Sequence, residues 1–473
     1  MRYVVLSIIF LLSVMLLQAQ VVELDIQKCR RMAIENSKKL QSATQQEAKA
    51  SFEKRAYRAN FLPKISATGL YTYMQKKMDY KIEGGYLPVY QAEDISQALP
   101  LNSIKLNNGQ PVIGTDGLPV FNQYAFMPDI NLSLGLRNAY TVGMMLEQPL
   151  YMGGKVRSAF RMASIGREMA GLNVVYNRME VLTEVDEAYC QYLRVLEQEK
   201  AAGKYLEVVK ELVRNVADAV QTGMASTNDL LKAQVKENEA ELLVSKATNG
   251  LALSSMNLCR VIGIELNSQL LVRDSLEESI LPGILEGKDG ITGRPEYNIL
   301  EKQVEMKENE VALVRSDFMP QLGLAATYGY GDGLTLNGES EGVTSFGAMV
   351  SLKVPIYNWG EGRNKVKAMK AEEEMARLKQ EETAQLMHLE VARARYNTED
   401  AMKRVQLTRK SLSQAEENLQ VSKNRYEVGL ETITNYMEAQ AQWQKAWSDW
   451  IDARAELRLS ETYFLKATGR LTE

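Results

Sequence analysis

The sequence holds 473 residues, 45% of them hydrophobic and 25% charged, with a formal net charge of −4. So mild an acidic balance leaves no electrostatic footprint for nucleic acid. Three cysteines without metal-type spacing and a single histidine, His388, argue against a metal site and against imidazole-based catalysis.

In chain order, the first feature is a 14-residue apolar run, Val4 to Leu17, behind Arg2. It is too short to span a bilayer as a helix, and a secretory signal peptide over residues 1–19 is expected. No later run approaches the ~18 apolar residues of a transmembrane helix. Leu24 to Asn60 reads as one charged helix, stopped by Phe61-Leu62-Pro63 because the residue before a proline is pushed out of the α region. Loose alternation through Ile65, Ala67, Tyr71 and Tyr73 predicts a strand over about 63–75. Met78 to Asp129 contains five prolines among scattered Gly and Asn and reads as a long surface loop. From Ile130 the alternation is clean (Leu132, Leu134, Leu136, then Tyr140, Val142, Met144, Leu146), which gives a strand over about 130–150 that runs into Pro149, Gly153 and Gly154.

Between Gly153 and Thr222 there is no proline, enough chain for a helix of about 105 Å. Leu182, Val185, Tyr189, Tyr192 and Leu196 step by three and four, as in coiled-coil packing. A turn at Gly223 leads to a helix from Thr227 to Gly263, and residues 264–292 read as a mid-body connector. The pattern then returns: a helix from Pro295 to Asp317, a stop at Phe318-Met319-Pro320, strands over about 320–332 and 344–356, Pro355 and Gly360, a long helix from Glu361 to Val428, a turn at Gly429 and a helix from Thr432 to Thr468.

Pro149 and Pro355, Gly223 and Gly429, and Gly263 and Gly469 are each 206 residues apart. One offset held at three such positions predicts an internal two-fold repeat, residues 20–263 and 293–473. Pro63 and Pro149 are 86 residues apart but Pro320 and Pro355 only 35, so the first copy carries 51 more residues, the proline-rich loop. Length arithmetic predicts that two half-length helices lie end to end along each long one. If the Gly223 turn is a helical hairpin, residues whose numbers sum to 449 lie level across it, which places Cys190 beside Cys259. Cys190 sits beside the apolar stripe and not on it, so free thiols are expected. Trp443, Trp447 and Trp450 form a stripe at helical spacing that reads as helix packing.

Each predicted strand has one apolar face and one small, polar face. A half-buried soluble sheet would show this pattern, and so would a membrane β-barrel. Four strands cannot close a barrel in lipid, since open edges leave unpaired backbone groups in hydrocarbon. On the second reading, other copies of the chain must complete it.

The Pro-Leu-Tyr-x-Gly-Gly step at 149–154, the Phe-x-Pro steps, and Arg425-Tyr426-Glu427-Val428-Gly429-Leu430 followed by Thr432-Ile433 resemble the TolC-like outer-membrane efflux proteins. The resemblance covers nearly all of the chain after its leader. It implies a mixed α and β membrane protein of the outer membrane that extends into the periplasm: a homotrimer with a 12-stranded β-barrel and a long coiled-coil helical barrel. It also implies a periplasmic adaptor (membrane fusion) protein and an inner-membrane pump as partners, outer-membrane lipid around the strands, and no cofactor. Acidic residues after the glycine turns would line a cation-selective periplasmic gate. Asp229, six residues after Gly223, matches. Six after Gly429 stands Asn435, with Glu438 as a second acidic position, and Glu431 occupies a place where the family commonly has a base. The same carboxylates are also what any helix start attracts. The function expected is a passive duct of a tripartite efflux system. Its rivals are a soluble periplasmic coiled-coil scaffold or adaptor and the outer-membrane duct of a type I protein secretion system. Nothing resembles a Ser-His-Asp set or a phosphate loop, so no enzyme is expected.

Overall fold

A computed structural model describes residues 22–75, 78–89, 103–272, 274–276, 284–286, 290–336 and 339–471; the expected signal peptide lies outside them. The elements are β1 (Val22–Leu24), α1 (Ile26–Asn36), α2 (Lys38–Ala59), β2 (Lys64–Thr72), β3 (Met78–Ile82), β4 (Gly85–Pro88), β5 (Leu106–Asn107), β6 (Gln110–Pro111), β7 (Tyr124–Met127), β8 (Ile130–Met152), α3 (Lys155–Gln221) and α4 (Thr227–Ile262). They continue with β9 (Leu270–Val272), α5 (Pro295–Ser316), β10 (Gln321–Leu336), β11 (Glu339–Ser340), β12 (Val343–Lys353), α6 (Glu361–Glu427) and α7 (Ile433–Ala467). Contacts divide the chain into a helical unit (residues 1–57, 157–315 and 359–473) and a strand unit (58–156 and 316–358).

In the helical unit α3 and α6 each run 67 residues, about 100 Å at 1.5 Å per residue. Ion pairs show what lies beside each. Arg167 of α3 meets Glu47 of α2 at 3.1 Å, and Arg260 of α4 meets Glu184 of α3 at 2.8 Å, so α2 and α4 follow different stretches of α3. Along α6, Lys307 of α5 meets Glu372 at 2.9 Å, and Glu456 of α7 pairs with Arg404. The short helices meet at their ends: Asn36 Nδ2 donates to the Ile262 carbonyl at 2.9 Å, and Arg294, just ahead of α5, reaches the Ala467 carbonyl at 3.5 Å. The length arithmetic therefore describes the packing. The helix expected from Leu24 to Asn60 is broken at Ser37, whose Oγ accepts from the Leu40 N–H and so starts a new helix.

The largest apolar cluster joins Leu24, Cys29 and Ala33 to Val181, Val185 and Tyr189 of α3, Leu258 and Ile262 of α4, and Ile451 of α7. The connector enters the fold here: β9 pairs in parallel with β1, and Tyr189 donates to Asp274 at 2.5 Å. Among the described residues, the buried charged side chains Asp186, Arg294, Arg454 and Glu461 are all paired. Arg30 grips Asp186 through Nε–Oδ1 at 2.8 Å and Nη2–Oδ2 at 2.5 Å, and Thr462 Oγ1 donates to the same Oδ2 at 2.8 Å, tying α1, α3 and α7 together. The tryptophan stripe packs as expected: the Trp443 and Trp447 rings are 5.1 Å apart, and the Arg454 guanidinium stacks 3.5 Å from Trp450. Cys29, Cys190 and Cys259 are buried free thiols. Among the described residues no helix is long and apolar enough to cross a membrane.

In the strand unit β2, β8, β10 and β12 form an antiparallel sheet in that order. Register sorts the side chains by face. Ile65, Ala67 and Tyr71 of β2 lie opposite Leu146, Met144 and Tyr140 of β8, whose neighbours on β10 are Ala326, Tyr328 and Asp332. Leu324, Ala326 and Tyr328 lie in turn opposite Val350, Ala348 and Phe346 of β12. The other face carries Ser66, Thr68, Thr141, Gly143, Thr327, Gly329, Ser345 and Gly347. The apolar face is open: Ile65, Val142, Val350, Leu352 and Phe346 are all exposed, and so is every residue of β12. β8 is two residues longer than expected because a bulge lets it pass Pro149, where its register against β10 shifts.

The segment 78–129, expected as a loop, holds ordered strands. β3 pairs with the start of β8, from Met78 opposite Leu134 to Ile82 opposite Ile130, and β4 pairs with β7 from Gly85 opposite Met127 to Pro88 opposite Tyr124. A small hairpin, β5–β6, turns through Asn108 and Gly109, both at positive φ (50° and 78°), as a two-residue type I′ turn requires. Prolines are compatible with this because a two-stranded ribbon has one side free of ladder bonds on each strand. Pro88 and Pro111 end their strands, and Pro128 lies between two.

Candidate gate at the helix turns

The α3–α4 and α6–α7 turns are built alike. Gly223 (φ 77°) and Gly429 (φ 75°) stand in the left-handed region just past each long helix. There the Met224 N–H reaches back to the Ala219 carbonyl and the Leu430 N–H to the Arg425 carbonyl, both at 2.8 Å, a Schellman closure that satisfies the last carbonyls. Ser226 and Thr432 then cap the returning helices, accepting from the N–H groups of Asp229 (3.1 Å) and Asn435 (3.3 Å). The Asp229 carboxylate completes a capping box by accepting from the Ser226 backbone N–H, and Ser226 Oγ also donates to its Oδ2 at 2.7 Å. That hydroxyl, ahead of Lys232 at 3.4 Å, holds the Asp229 carboxyl below its ordinary range.

The two turns share one apolar cluster: Leu212 and Val216 of α3, Ala233 of α4, and Ile433, Tyr436 and Met437 of α7, with Tyr426 of α6 packed against it. The Tyr426 and Tyr436 rings stack at 5.4 Å with a 23° tilt. Burial raises the Tyr426 phenol, and the charge of Asp229 raises it further, so the first turn's carboxylate lies within electrostatic reach of the second turn's aromatic pair. Lys423 of α6 pairs with Glu211 of α3 at 3.0 Å. Of the other sequence-derived positions, Glu438 is exposed and accepts from Gln442, one turn on in its own helix. The Asn435 side chain is exposed, and Glu431 lies 3.8 Å from Arg425 and is only 17% exposed. Sequence reasoning placed Tyr426 on a stripe but missed Tyr436. Its signal is an aromatic ring four residues after a Thr cap.

The punctuation residues also have local causes. At Gly153 (φ 62°) a β-carbon would crowd Met319 Cβ at 2.5 Å and the Ser316 carbonyl at 2.6 Å, and Lys155 pairs with Asp317 at 2.8 Å beside it. Gly154 and Gly360 have φ of 94° and 81°. Pro63 and Pro320 precede β2 and β10, and Pro355 follows β12.

Paired helices of about 100 Å, and a separate sheet with one apolar and one small, polar face, define a channel-type protein of the outer membrane. The profile of the family described as "Outer membrane efflux protein" matches residues 120–264 and 293–470, and the chain belongs to that family. It is 24% identical over 328 residues to outer membrane protein OprJ of Pseudomonas aeruginosa, covering 66% of each chain. To the pyoverdine export outer membrane protein OpmQ of the same organism it is 23% identical over 345 residues, covering 70% of this chain and 67% of that one. The matched stretch thus spans about two thirds of each relative. The fold is similar to the Campylobacter jejuni CmeC outer membrane channel (TM-score 0.68, 17% identity, 94% of this chain and 85% of that one). It is similar also to outer membrane protein VceC of Vibrio cholerae (TM-score 0.69, 15% identity, 94% and 96%).

Proposed function

We propose that this chain is the outer-membrane duct of a tripartite efflux system, active as a homotrimer whose three four-stranded sheets close one 12-stranded barrel. The observation that carries this is the sheet itself: an exposed apolar face across four strands, with β2 and β12 left as open edges. Open edges are not tolerated in hydrocarbon, and bacterial barrels begin at eight strands. Tyrosines fit the two margins of a lipid band. Tyr71, Tyr140 and Tyr330 lie toward one end of the sheet and Tyr151 toward the other. Tyr140 and Tyr151 are 11 residues apart on β8, about 28 Å of height at a strand tilt near 40°, close to the ~25 Å apolar band of such barrels.

On this reading residues 20–263 and 293–473 are two structural repeats, 264–292 is a mid-body connector, and the 78–129 insertion lies outside the cell. The helix turns form the periplasmic gate, with Asp229 and Glu438 supplying its negative charge and Asn435 and Glu431 its rim. A periplasmic adaptor and an inner-membrane pump are the partners. Unheated protein in mild detergent is expected to migrate as a trimer and to become monomeric after full denaturation; a compact, detergent-free monomer overturns the duct. Replacing Asp229 and Glu438 together by Ala should lower cation selectivity in single-channel recordings, because a ring of carboxylates at a neck favours cations. Unchanged selectivity returns both residues to ordinary helix-start charges.

A further inference from the structure

β8 does not end with the sheet. β2 stops opposite Ala139 of β8, and β12 stops at Gly331 of β10, level with Thr141. β8 runs on to Ile130 with β3 beside it, and β4 and β7 prolong the pair as a ribbon. Paired residue numbers keep a single sum along it: Met78 with Leu134, Tyr80 with Leu132 and Ile82 with Ile130, then Tyr86 with Phe126 and Pro88 with Tyr124.

Period-2 alternation carries a face of the sheet onto this ribbon. Near Asn138 the bulge absorbs two residues of β8 against β10, an even number, so the alternation passes through it unbroken. Tyr140, Val142 and Met144, on the lipid side of the proposed barrel, therefore share a face with Ile130 and Leu132. Across the ladder the same face carries Met78, Tyr80, Ile82, Tyr86, Tyr124 and Phe126. The opposite face carries Asp79, Lys81, Glu83 and Asn131 near the base and Leu87, Ala125 and Met127 near the tip. The continuous face is uncovered: Tyr80 is 69% exposed, Tyr86 71% and Phe126 65%. Its rings are held in place. Tyr86 and Phe126 lie 5.4 Å apart, and the Tyr124 hydroxyl accepts from the Phe121 N–H at 2.9 Å with the two rings edge to face. An exposed apolar face of this extent marks an interface.

Height selects the occupant. Tyr140 stands at the outer margin of the apolar band. At a strand tilt near 40°, and discounting the two residues absorbed in the bulge, Ile130 lies about 20 Å beyond that margin and Phe126 about 30 Å. Ordinary headgroups extend a bilayer only about 5–8 Å past its hydrocarbon on each side. Neither acyl chains nor phospholipid headgroups reach Tyr80, Tyr86 or Phe126. The component of an outer membrane that stands beside a barrel wall at this height is the oligosaccharide of an outer-leaflet glycolipid. The chemistry agrees with the position. The C–H edges of a pyranose are weakly positive and meet the negative face of an aromatic ring, and the rings named here stand on a face whose other named residues are aliphatic.

We propose that the lipid-side face of the ribbon, with Tyr80, Tyr86, Tyr124 and Phe126 as its rings, is a binding surface for the sugar headgroups of outer-leaflet glycolipid. It rests on the barrel reading, which fixes the lipid side, and the experiment separates the two. Tyr86→Cys and Leu87→Cys stand at one height on opposite faces, and the three native cysteines are buried, so maleimide labelling reads the introduced thiol. Purified trimers are placed in bilayer discs of phosphatidylethanolamine alone, with added lipopolysaccharide, or with the same glycolipid trimmed to its acylated sugar core. Lipopolysaccharide should slow labelling of Tyr86→Cys at least fivefold relative to both other discs and leave Leu87→Cys within twofold. Equal rates in the three discs, or equal slowing of both cysteines, overturn the proposal. So does slowing already present in phosphatidylethanolamine, which means that the bilayer surface itself covers the face. Protection seen in whole cells but in none of the discs assigns the face to another protein and overturns it as well. In a second measurement, Tyr80→Ser with Tyr86→Ser and Phe126→Ser should lower the glycolipid that co-purifies with detergent-extracted trimers at least threefold; an unchanged amount contradicts the role of the rings. Unheated samples of the unchanged protein that fail to run as trimers refute the barrel reading, and the lipid side falls with it.

Discussion

Asp186 is a buried carboxylate on which three helices depend. Its carboxylate is 4% exposed and accepts from Arg30, itself 11% exposed, and from Thr462, so three helices converge on it. Asp186→Ala leaves the guanidinium buried without a counter-charge, and breaking such a pair from one side costs about 3–5 kcal/mol. Thr462→Val removes one hydrogen bond to a charged acceptor and should cost about 1.5–3 kcal/mol. The informative variant replaces both members of the pair: Arg30→Met with Asp186→Leu. If the loss in Asp186→Ala is mainly the stranded charge, the apolar pair should recover most of it, since buried ion pairs often do no better than well-packed hydrophobic replacements. The assay is urea unfolding of detergent-solubilised protein followed by far-UV circular dichroism, with both single variants and the double Arg30→Ala/Asp186→Ala. Losses that simply add within about 0.5 kcal/mol mean the two side chains are uncoupled, and the reasoning fails.

Two further outcomes can be read with simple probes. Burial pushes the Cys29 and Cys190 thiols up to about 12, with the Asp25 and Asp186 charges respectively adding to it; a disulfide reagent near pH 8 should find no thiol in native protein and three after unreduced denaturation. Fewer than three would mean that a bridge forms. Asp129 is held below its ordinary range first by Lys81 and then by the Gly84 N–H. Its folded value is the lower one, so its contribution to the ribbon is present above the unfolded value near 3.9 and is lost as pH falls through the folded value. Acid-stable protease should cut residues 78–89 faster as pH drops through that window, and Asp129→Asn should abolish the dependence. A pH-independent cutting rate in the unchanged protein contradicts this account.

The parts of this fold that could be read from sequence are those where backbone geometry demands a residue type. Gly223 and Gly429 stand where the chain must adopt positive φ, and the prolines stand where helices stop. Alternation on β8, β10 and β12 was legible because one face of each strand is apolar over most of its length. The ribbon was misread because its prolines outweighed the alternation of Met78, Tyr80 and Ile82; prolines at strand ends carry no ladder bond and do not forbid pairing. The break at Ser37 depends on a single hydroxyl accepting from Leu40. At the candidate gate, Asp229 could be found from its distance to the turn. The Tyr426–Tyr436 stack and the Lys423–Glu211 pair join separate helices whose facing sides no local pattern encodes. Arg30, Asp186 and Thr462 are likewise distant in the sequence, separated by 156 and 276 residues.

The open edges of β2 and β12 have a genetic consequence. In the homotrimer proposed above, a chain has no finished membrane form by itself, so folding of the sheet and association are one equilibrium, set by how much chain is present. A copy whose β12 cannot pair would still offer a sound β2 edge and would be taken into assemblies that it cannot complete. Expressed in equal amount beside the intact chain and mixed at random, it would leave only about one assembly in eight free of it. Lesions along β12 should therefore be dominant, whereas lesions that unfold the whole chain should be recessive.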